Sequence, residues 1–171
     1  QQIITEGTSS PADLFITVDA GNLWKAQKEG LFHKITSSAV DNIVPANLRG
    51  PNNEWVALAK RARIMYYNPR TVSEAELEGL TYEDLAKPEW NGRVVIRKSS
   101  NMYNQSLVSS LVANHGVEAT EAWANGLVAN MARKPEGNDR AQIMAVANGE
   151  ADIAVANSYY IALMLSGKKG D

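Results

Sequence analysis

The amino-acid sequence predicts an α/β protein with a largely parallel sheet, on three observations. Short apolar runs rich in β-branched residues alternate with stretches of helical periodicity along the 171 residues. Several predicted helices are followed directly by glycine, which commonly ends a helix. A long extended segment, residues 54–67, ends at Asn68-Pro69, where the proline disfavours continuation of the strand. An extended segment at such a break is typical of a hinge strand, so we expect two α/β lobes.

The part of the chain before this break is predicted to hold one buried strand and one helix. Residues 13–18 form a short apolar run, which is typical of a parallel strand covered on both faces. Residues 23–29 form a short helix closed by glycine. The extended segment 54–67 carries Arg61 and Arg63 on one face, because side chains alternate along a strand.

The part after the break is predicted to alternate between strand and helix. A capping-box-like pattern at residues 81–84 predicts the start of a short helix. Four apolar side chains at four-residue spacing predict a core-facing stripe, namely Ala119, Trp123, Leu127 and Met131. In chain order, the longer elements are a strand at 93–97, a helical region at 102–132 interrupted near His115-Gly116, a helix at 140–148 capped by Asn138-Asp139, a strand at 152–156 and a helix at 161–165.

Composition narrows the classes of function. Hydrophobic residues at 44% and charged residues at 21% are ordinary for a globular protein, and a net charge of −2 gives no reason to expect nucleic acid. No apolar run approaches the roughly 20 residues of a membrane span. The sequence lacks the glycine-rich and G-x-S-x-G signatures of common enzymes, so we expect a non-enzymatic protein. It has no cysteine, and His33 and His115 are far apart, which excludes a thiolate metal site and argues against a histidine-rich one.

Three tyrosines lie where predicted strands give way to helices. Tyr159 and Tyr160 follow the strand at 152–156, and Tyr103 follows the strand at 93–97. Ligands of open α/β sheets bind at the carboxyl ends of the strands, so we expect the three phenols to converge. Phenolate oxygens are hard donors that suit a hard, highly charged cation, and ferric iron is the natural candidate. The alternative is that the tyrosines are half-buried core residues with hydroxyls bonded to backbone.

Several motifs resemble the ferric-ion-binding proteins of bacterial iron ABC transporters, particularly the tyrosine-rich cyanobacterial and marine type. The resemblance covers essentially the whole chain and implies a type II periplasmic-binding-protein fold, with two lobes joined by hinge strands. The motifs that carry the ferric-binding resemblance lie at residues 10–19, 60–63 (Lys-Arg-Ala-Arg), 96–106, 137–139 (Gly-Asn-Asp) and 157–160 (Asn-Ser-Tyr-Tyr). Residues 149–156 resemble a common pattern of the type II periplasmic solute-binding proteins.

The resemblance implies specific roles for four residues. Tyr103, Tyr159 and Tyr160 match iron-ligating tyrosines of that family, and Arg61 matches an arginine near the iron. Arg61 would hold a synergistic anion such as carbonate or screen phenolate charge; the alternative is a surface arginine facing solvent. Val18 stands where other branches of the family place a glutamate ligand, so no carboxylate is expected there.

The resemblance also implies a function and a place in the cell. The chain would bind Fe(III) through tyrosine phenolates and deliver it to an ABC-type membrane permease. It would contact a membrane only peripherally, through that protein partner. It would be located in the periplasm or be lipid-anchored on the outer face of the inner membrane. The alternative is a solute-binding protein of the same fold for a small organic molecule or an oxyanion.

The chain is also expected to be a fragment with an incomplete N-lobe. It opens without methionine on a segment that resembles the end of a helix closed by Gly7, and it stops in a predicted loop at residues 167–171. We expect residues 1–67 to form part of the N-lobe with the first hinge strand, and residues 68–171 to form the C-lobe. Apolar residues left without partners would then favour self-association.

Overall fold

The computed structural model describes residues 2–167, so Gln1 and residues 168–171 of the predicted terminal loop lie outside the described residues. The chain divides into two compact units, of residues 1–60 and 61–171. The assignment of residues 1–67 and 68–171 to two lobes stays a prediction.

The first unit holds three short α-helices joined by irregular segments. Helix α1 spans Gln2–Glu6, α2 spans Ala20–Lys28 and α3 spans Ser38–Ile43, with 3-10 turns at Gly7–Ser9 and Ala46–Leu48. Within the described part of this unit, Ala26 is the one buried apolar residue. The unit therefore has little apolar core of its own.

Helix α2 confirms the helix predicted at residues 23–29 and begins earlier. The Asp19 carboxylate accepts a hydrogen bond from the backbone N–H of Gly21 (2.8 Å), which caps the first turn. Gly30 follows the end of the helix with φ +66°, a conformation that glycine adopts without a Cβ clash. Asp19 thus acts as a helix cap.

The strand predicted at residues 13–18 is wrong. No residue of this segment forms a strand or a β-bridge within the described part of the chain, and Leu14 and Ile16 are 82% and 75% exposed. An apolar β-rich run becomes a strand only where a neighbouring strand satisfies its backbone N–H and C=O groups. Composition predicted the conformational preference of the segment but could not supply the partner.

The second unit is built on a three-stranded sheet in the order β1-β3-β2. Strand β1 spans Arg63–Tyr67, β2 spans Val94–Ile96 and β3 spans Ile153–Asn157. Strands β2 and β3 are parallel, whereas β1 and β3 are antiparallel. The predicted largely parallel sheet is therefore wrong for the β1–β3 pair, because apolar runs do not fix the direction in which a strand runs.

Only the end of the predicted extended segment 54–67 is a strand. The last five residues of the segment pair with β3, with Arg63 opposite Asn157 and Tyr67 opposite Ile153. Earlier in the segment, Val56 forms an isolated bridge with Arg49. Arg61 therefore precedes β1 and does not lie within it.

The helices predicted in the second unit are confirmed, and Gly116 breaks the long helical region with φ +84°. The helix predicted to start at Thr81 is a 3-10 turn at Glu83–Ala86, where the Asp84 carboxylate accepts a hydrogen bond from the Thr81 N–H (2.7 Å). The α-helices are α4 at Glu74–Leu77, α5 at Met102–His115, α6 at Val117–Ala129, α7 at Asp139–Ala147 and α8 at Tyr159–Leu165.

The core of the second unit lies on both faces of β3, whose five residues are all buried. One face packs with the aromatic and aliphatic side chains of α5, α6 and the preceding turns, and the other packs with α7 and α8. Of the predicted stripe on α6, Trp123 and Leu127 are buried and Met131 packs against them, whereas Ala119 is exposed. Burying one Val, Leu or Ile stabilises a fold by about 1.5–3 kcal/mol, so β3 is strongly anchored.

Candidate functional site

The sheet brings the three predicted tyrosines to one edge. Strands β2 and β3 are parallel neighbours, and the segments after their carboxyl ends lead into α5 and α8. Tyr103 lies in the first turn of α5, whose cap is the Asn101 side chain accepting a hydrogen bond from the Tyr103 N–H (3.0 Å). Tyr159 and Tyr160 are the first two residues of α8. Because β2 and β3 run in the same direction, the segments that carry the three phenols lie at the same edge of the sheet.

The phenols are in direct contact despite their separation in sequence. The hydroxyl oxygens of Tyr103 and Tyr159 are 3.4 Å apart. The rings of Tyr159 and Tyr160 have centroids 4.3 Å apart and planes inclined by 34°. Tyr160 is buried, whereas Tyr103 and Tyr159 are partly exposed. The predicted convergence of Tyr103 with the Tyr159-Tyr160 pair is confirmed; ligation of a metal by them stays a prediction.

Arg61 lies beside two of these rings. Its guanidinium carbon is 5.7 Å from the centroid of the Tyr103 ring and 5.9 Å from that of Tyr159, within the range of a cation–π contact. A positive charge at this position also stabilises a phenolate. Both predicted uses of Arg61, as an anion ligand and as a screening charge, stay predictions.

The three phenols differ in how readily they ionise. Burial raises the pKa of the Tyr103 phenol, and its contact with Tyr159 adds to this effect while Arg61 opposes it. Burial also opposes ionisation of Tyr159, but hydrogen bonds from Tyr103, Tyr160, Asn157 and Arg61 outweigh it and hold the pKa of Tyr159 below its ordinary value. Burial raises the pKa of Tyr160, with a further contribution from Tyr159. Tyr159 is therefore the phenol that its surroundings favour as an anion.

A buried ionic network adjoins the tyrosines, and sequence reasoning missed it. The carboxylate of Asp139, in the first turn of α7, is fully buried and contacts Arg63 (3.0 Å) and Arg97 (3.3 Å). Arg63 also donates hydrogen bonds to the side chains of Asn104 and Asn157. The guanidinium carbons of Arg63 and Arg97 lie 5.9 Å and 5.6 Å from the Tyr103 ring centroid.

One signal in the sequence could have indicated this network. Arg63 and Arg97 border apolar strand runs, and a buried arginine requires a carboxylate or carbonyl partner. Asp139 was predicted only to cap a helix with Asn138. Asn138 does cap α7, accepting a hydrogen bond from the Ala141 N–H (3.2 Å), whereas Asp139 points into the network.

The described residues contain no alternative metal site made of histidine, cysteine or carboxylate side chains. No group of three or more His, Cys, Asp or Glu side chains in residues 2–167 is arranged to hold a metal ion. His33 is exposed, and His115 is also exposed and lies 2.7 Å from Glu83. Val18, where the resemblance implies that other branches of the family carry a glutamate ligand, is 54% exposed. In the same part of the chain, every helix is too short or too polar to cross a membrane.

Known proteins similar to this chain are iron-binding and iron-uptake proteins. The iron uptake protein A1 of Synechocystis sp. is 51% identical over 165 residues, which are 96% of this chain and 45% of that protein. The Fe(3+)-binding periplasmic protein of Serratia marcescens is 32% identical, over 93% of this chain and 46% of that protein. A solved structure from Trichodesmium (IdiA, FutA), in complex with iron and citrate, is 55% identical with a TM-score of 0.89, covering 94% of this chain and 50% of that one.

The chain thus spans about half the length of the relatives it matches. A sequence profile of the bacterial extracellular solute-binding proteins matches residues 9–169. The relatives are solute-binding transport proteins rather than enzymes, which confirms the prediction of a non-enzymatic protein. The chain therefore belongs to the bacterial extracellular solute-binding protein family, and its α/β fold is that of the type II periplasmic ferric-binding proteins.

Proposed function

We propose that this chain binds ferric iron through the phenolates of Tyr103, Tyr159 and Tyr160. The observation that carries the proposal is the 3.4 Å contact between the hydroxyls of Tyr103 and Tyr159, with Tyr160 packed against Tyr159. Three oxygen donors converge there, and Fe(III) is the cation that such hard anionic donors favour. The similar iron uptake protein of Synechocystis, the Fe(3+)-binding protein of Serratia and the iron complex from Trichodesmium support the same cargo.

Binding of iron by these phenols requires them to lose their protons. The surroundings of Tyr159 lower its pKa and so lessen this cost for that phenol. The pKa values of Tyr103 and Tyr160 are raised, so these phenols would lose their protons only when the metal charge replaces the proton. Iron loading is thus coupled to proton release.

We assign Arg61 the role of a charge beside the ligands. Three phenolates neutralise the charge of Fe(III), and the guanidinium stabilises the phenolates of Tyr103 and Tyr159 whose rings it faces. The planar fork of arginine also fits a carboxylate or carbonate bidentately, and the Trichodesmium structure in complex with iron and citrate supports an anion that accompanies the metal.

The family supports a transport role. We propose that the intact protein carries Fe(III) in the periplasm, free or lipid-anchored on the outer face of the inner membrane, and delivers it to an ABC-type permease. The extracellular solute-binding family and the periplasmic relative from Serratia support this placement. Nucleic acid is not a proposed partner, since the net charge is −2.

One titration tests the proposal. The chain is titrated with Fe(III), supplied as a weak chelate, while the visible absorbance is recorded. A phenolate-to-iron charge-transfer band that saturates at one iron per chain is expected, and Fe(II) under anaerobic conditions should give no such band. Tyr67→Phe is the matched control, because Tyr67 is exposed on β1 and lies outside the tyrosine cluster. A colourless wild-type chain would contradict the proposal.

The alternative is a solute-binding protein for a small organic molecule or an oxyanion. The position of Arg61 beside two phenols favours it, because a guanidinium with hydroxyl donors suits an oxyanion. Calorimetry with citrate or carbonate in the absence of iron separates the two functions. Binding of the anion alone, with no coloured iron complex, would favour the alternative.

We also propose that the chain self-associates through the first unit. The apolar side chains of Leu14, Ile16 and Trp24 are 82%, 75% and 52% exposed, and exposed apolar surface promotes association. Sedimentation should show a concentration-dependent oligomer. Leu14→Ser together with Ile16→Ser should reduce the oligomer, and a monomer in the wild-type chain would contradict the proposal.

A further inference from the structure

Asp139 links the elements that carry the tyrosines. Its Oδ2 accepts hydrogen bonds from Arg63 Nη1 (3.0 Å) and from the backbone N–H of Asn157 (2.9 Å), and its Oδ1 accepts one from Arg97 Nη1 (3.3 Å). The carboxylate is fully buried, and a buried charge is tolerated only where its partners are in place. A single side chain thus holds α7 against β1, against the carboxyl end of β3 and against the residue that follows β2.

Arg63 extends this link to both tyrosine segments. Its Nη2 donates to the side-chain oxygen of Asn104 (2.7 Å), and its Nη1 donates to that of Asn157 (3.1 Å). Asn104 directly follows Tyr103 in α5, and its amide also donates to the Arg97 carbonyl (2.6 Å). The Arg63 side chain is only 9% exposed, so it is enclosed by these partners.

Asn157 completes the connection on the other side. It is the last residue of β3 and lies two residues before Tyr159. One guanidinium therefore contacts an asparagine next to Tyr103 and an asparagine two residues before Tyr159.

From this geometry we propose that Asp139 and Arg63 are positioning residues of the iron site, which set the separation of the Tyr103 and Tyr159 phenols without touching the iron. The inference rests on the proposed function of the tyrosines. The required property is the forked shape of arginine, because Nη1 donates to Asp139 and Asn157 while Nη2 donates to Asn104. The single nitrogen of a lysine does not reproduce these two separated donor positions. Loss of an outer partner of a metal ligand typically costs about 10- to 100-fold in metal affinity.

Three variants of the full chain test the proposal. Asp139→Asn keeps the side-chain shape but removes the charge and one acceptor. Arg63→Lys keeps the charge but removes the fork. The matched control is Asp152→Asn, which removes an aspartate–arginine pair at the amino end of the same strand β3, where Asp152 pairs with Arg93.

The first readout is the iron complex, measured by affinity and by the position of the phenolate charge-transfer band. Asp139→Asn and Arg63→Lys should each lower the Fe(III) affinity about 10- to 100-fold and move the band, while Asp152→Asn should leave both unchanged. Wild-type affinity and band in folded Asp139→Asn would overturn the proposal. If circular dichroism shows that Asp139→Asn is unfolded, the test rests on Arg63→Lys alone. A wild-type Fe(III) affinity and band position in Arg63→Lys would then overturn the proposal.

The second readout needs no iron, so that it separates this proposal from the proposed function. The chain is labelled with 3-fluorotyrosine, and the resonances are assigned with single Tyr→Phe variants. In Asp139→Asn the Tyr103 and Tyr159 resonances should shift, whereas that of exposed Tyr67 should not. Unchanged Tyr103 and Tyr159 resonances would overturn the positioning role even if iron binds. Shifted resonances in a chain that binds no iron would retain the positioning role and reject the proposed function.

Discussion

The two ends of strand β3 both adjoin a pairing of aspartate with arginine, in different surroundings. At the amino end, the Asp152 and Arg93 side chains are 20% and 24% exposed, and Arg93 also contacts Glu76 (2.9 Å). At the carboxyl end, the Asp139 and Arg63 side chains are 0% and 9% exposed. Only the second pair adjoins the tyrosines.

The difference shows how burial changes what an ion pair contributes. The amino-end pair is partly exposed, so water and salt screen its charges and bring its contribution towards that of a surface pair, about 0–1 kcal/mol. A buried pair contributes little net stability, but removing one partner leaves the other charged and unsolvated. The amino-end pair is therefore replaceable, whereas the carboxyl-end pair requires one arrangement of its neighbours, and that arrangement includes the segments of Tyr103 and Tyr159.

The largest expected effect is on the stability of the carboxyl end. Asp139→Ala leaves Arg63 and Arg97 buried without their carboxylate and should lower the free energy of unfolding by about 3–5 kcal/mol. Urea unfolding followed by circular dichroism measures this loss. A loss below about 1 kcal/mol would mean that water reaches the two guanidiniums and that the two ends of β3 do not differ as their burial indicates.

Loss of a phenol should affect iron but not the fold. Tyr159→Phe removes the donor with the lowered pKa while keeping the ring that packs on Tyr160, so Fe(III) affinity should fall by more than about 100-fold. Visible titration against a competing chelator gives the affinity, and thermal unfolding serves as the control for folding. Unchanged affinity in Tyr159→Phe would exclude this phenol as a ligand.

Iron affinity should also depend on pH. Iron must displace protons from the phenols, and the pKa values of Tyr103 and Tyr160 are raised, so lowering the pH favours the protonated, iron-free form. Each proton released should change the affinity about tenfold per pH unit in the neutral range. Titrations between pH 6 and pH 8 measure the slope. In Tyr103→Phe the slope should decrease by about one proton, and a slope of zero in the wild-type chain would contradict phenolate ligation.

The smallest expected effect is at the amino end of β3. Asp152→Ala should lower the free energy of unfolding by only about 0.5–1 kcal/mol, and added salt should shrink the difference from wild type. Urea unfolding at low and high ionic strength tests both statements. A loss as large as that of Asp139→Ala would remove the contrast between the two ends.

Much of the tyrosine arrangement could be predicted because it depends on local pattern and strand direction. Apolar runs before Tyr103 and Tyr159 predicted two strands, and parallel neighbours bring the segments after them to one edge. The predicted helices were found because their caps and closing glycines are local signals, as at Asn138 and Gly116.

The parts that could not be predicted depend on partners distant in sequence. Residues 13–18 have the composition of a strand, but a strand also needs a neighbour, which composition does not reveal. Likewise, no local pattern pairs Arg63 with Asp139, which lies 76 residues further along the chain. The antiparallel direction of β1 was missed for the same reason, since register with β3 is a tertiary property.

The central position of β3 also determines how the tyrosine pair moves. All five residues of β3 are buried and pair with β1, and Ile153, Ala154 and Val155 also pair with β2. The amide hydrogens of this strand should therefore exchange with solvent mainly through opening of the whole sheet. Tyr159 and Tyr160 follow directly from this slowest-opening segment. If these phenols hold iron as proposed, this side of the site should stay folded while the ion leaves, and ion release should not depend on opening of the sheet.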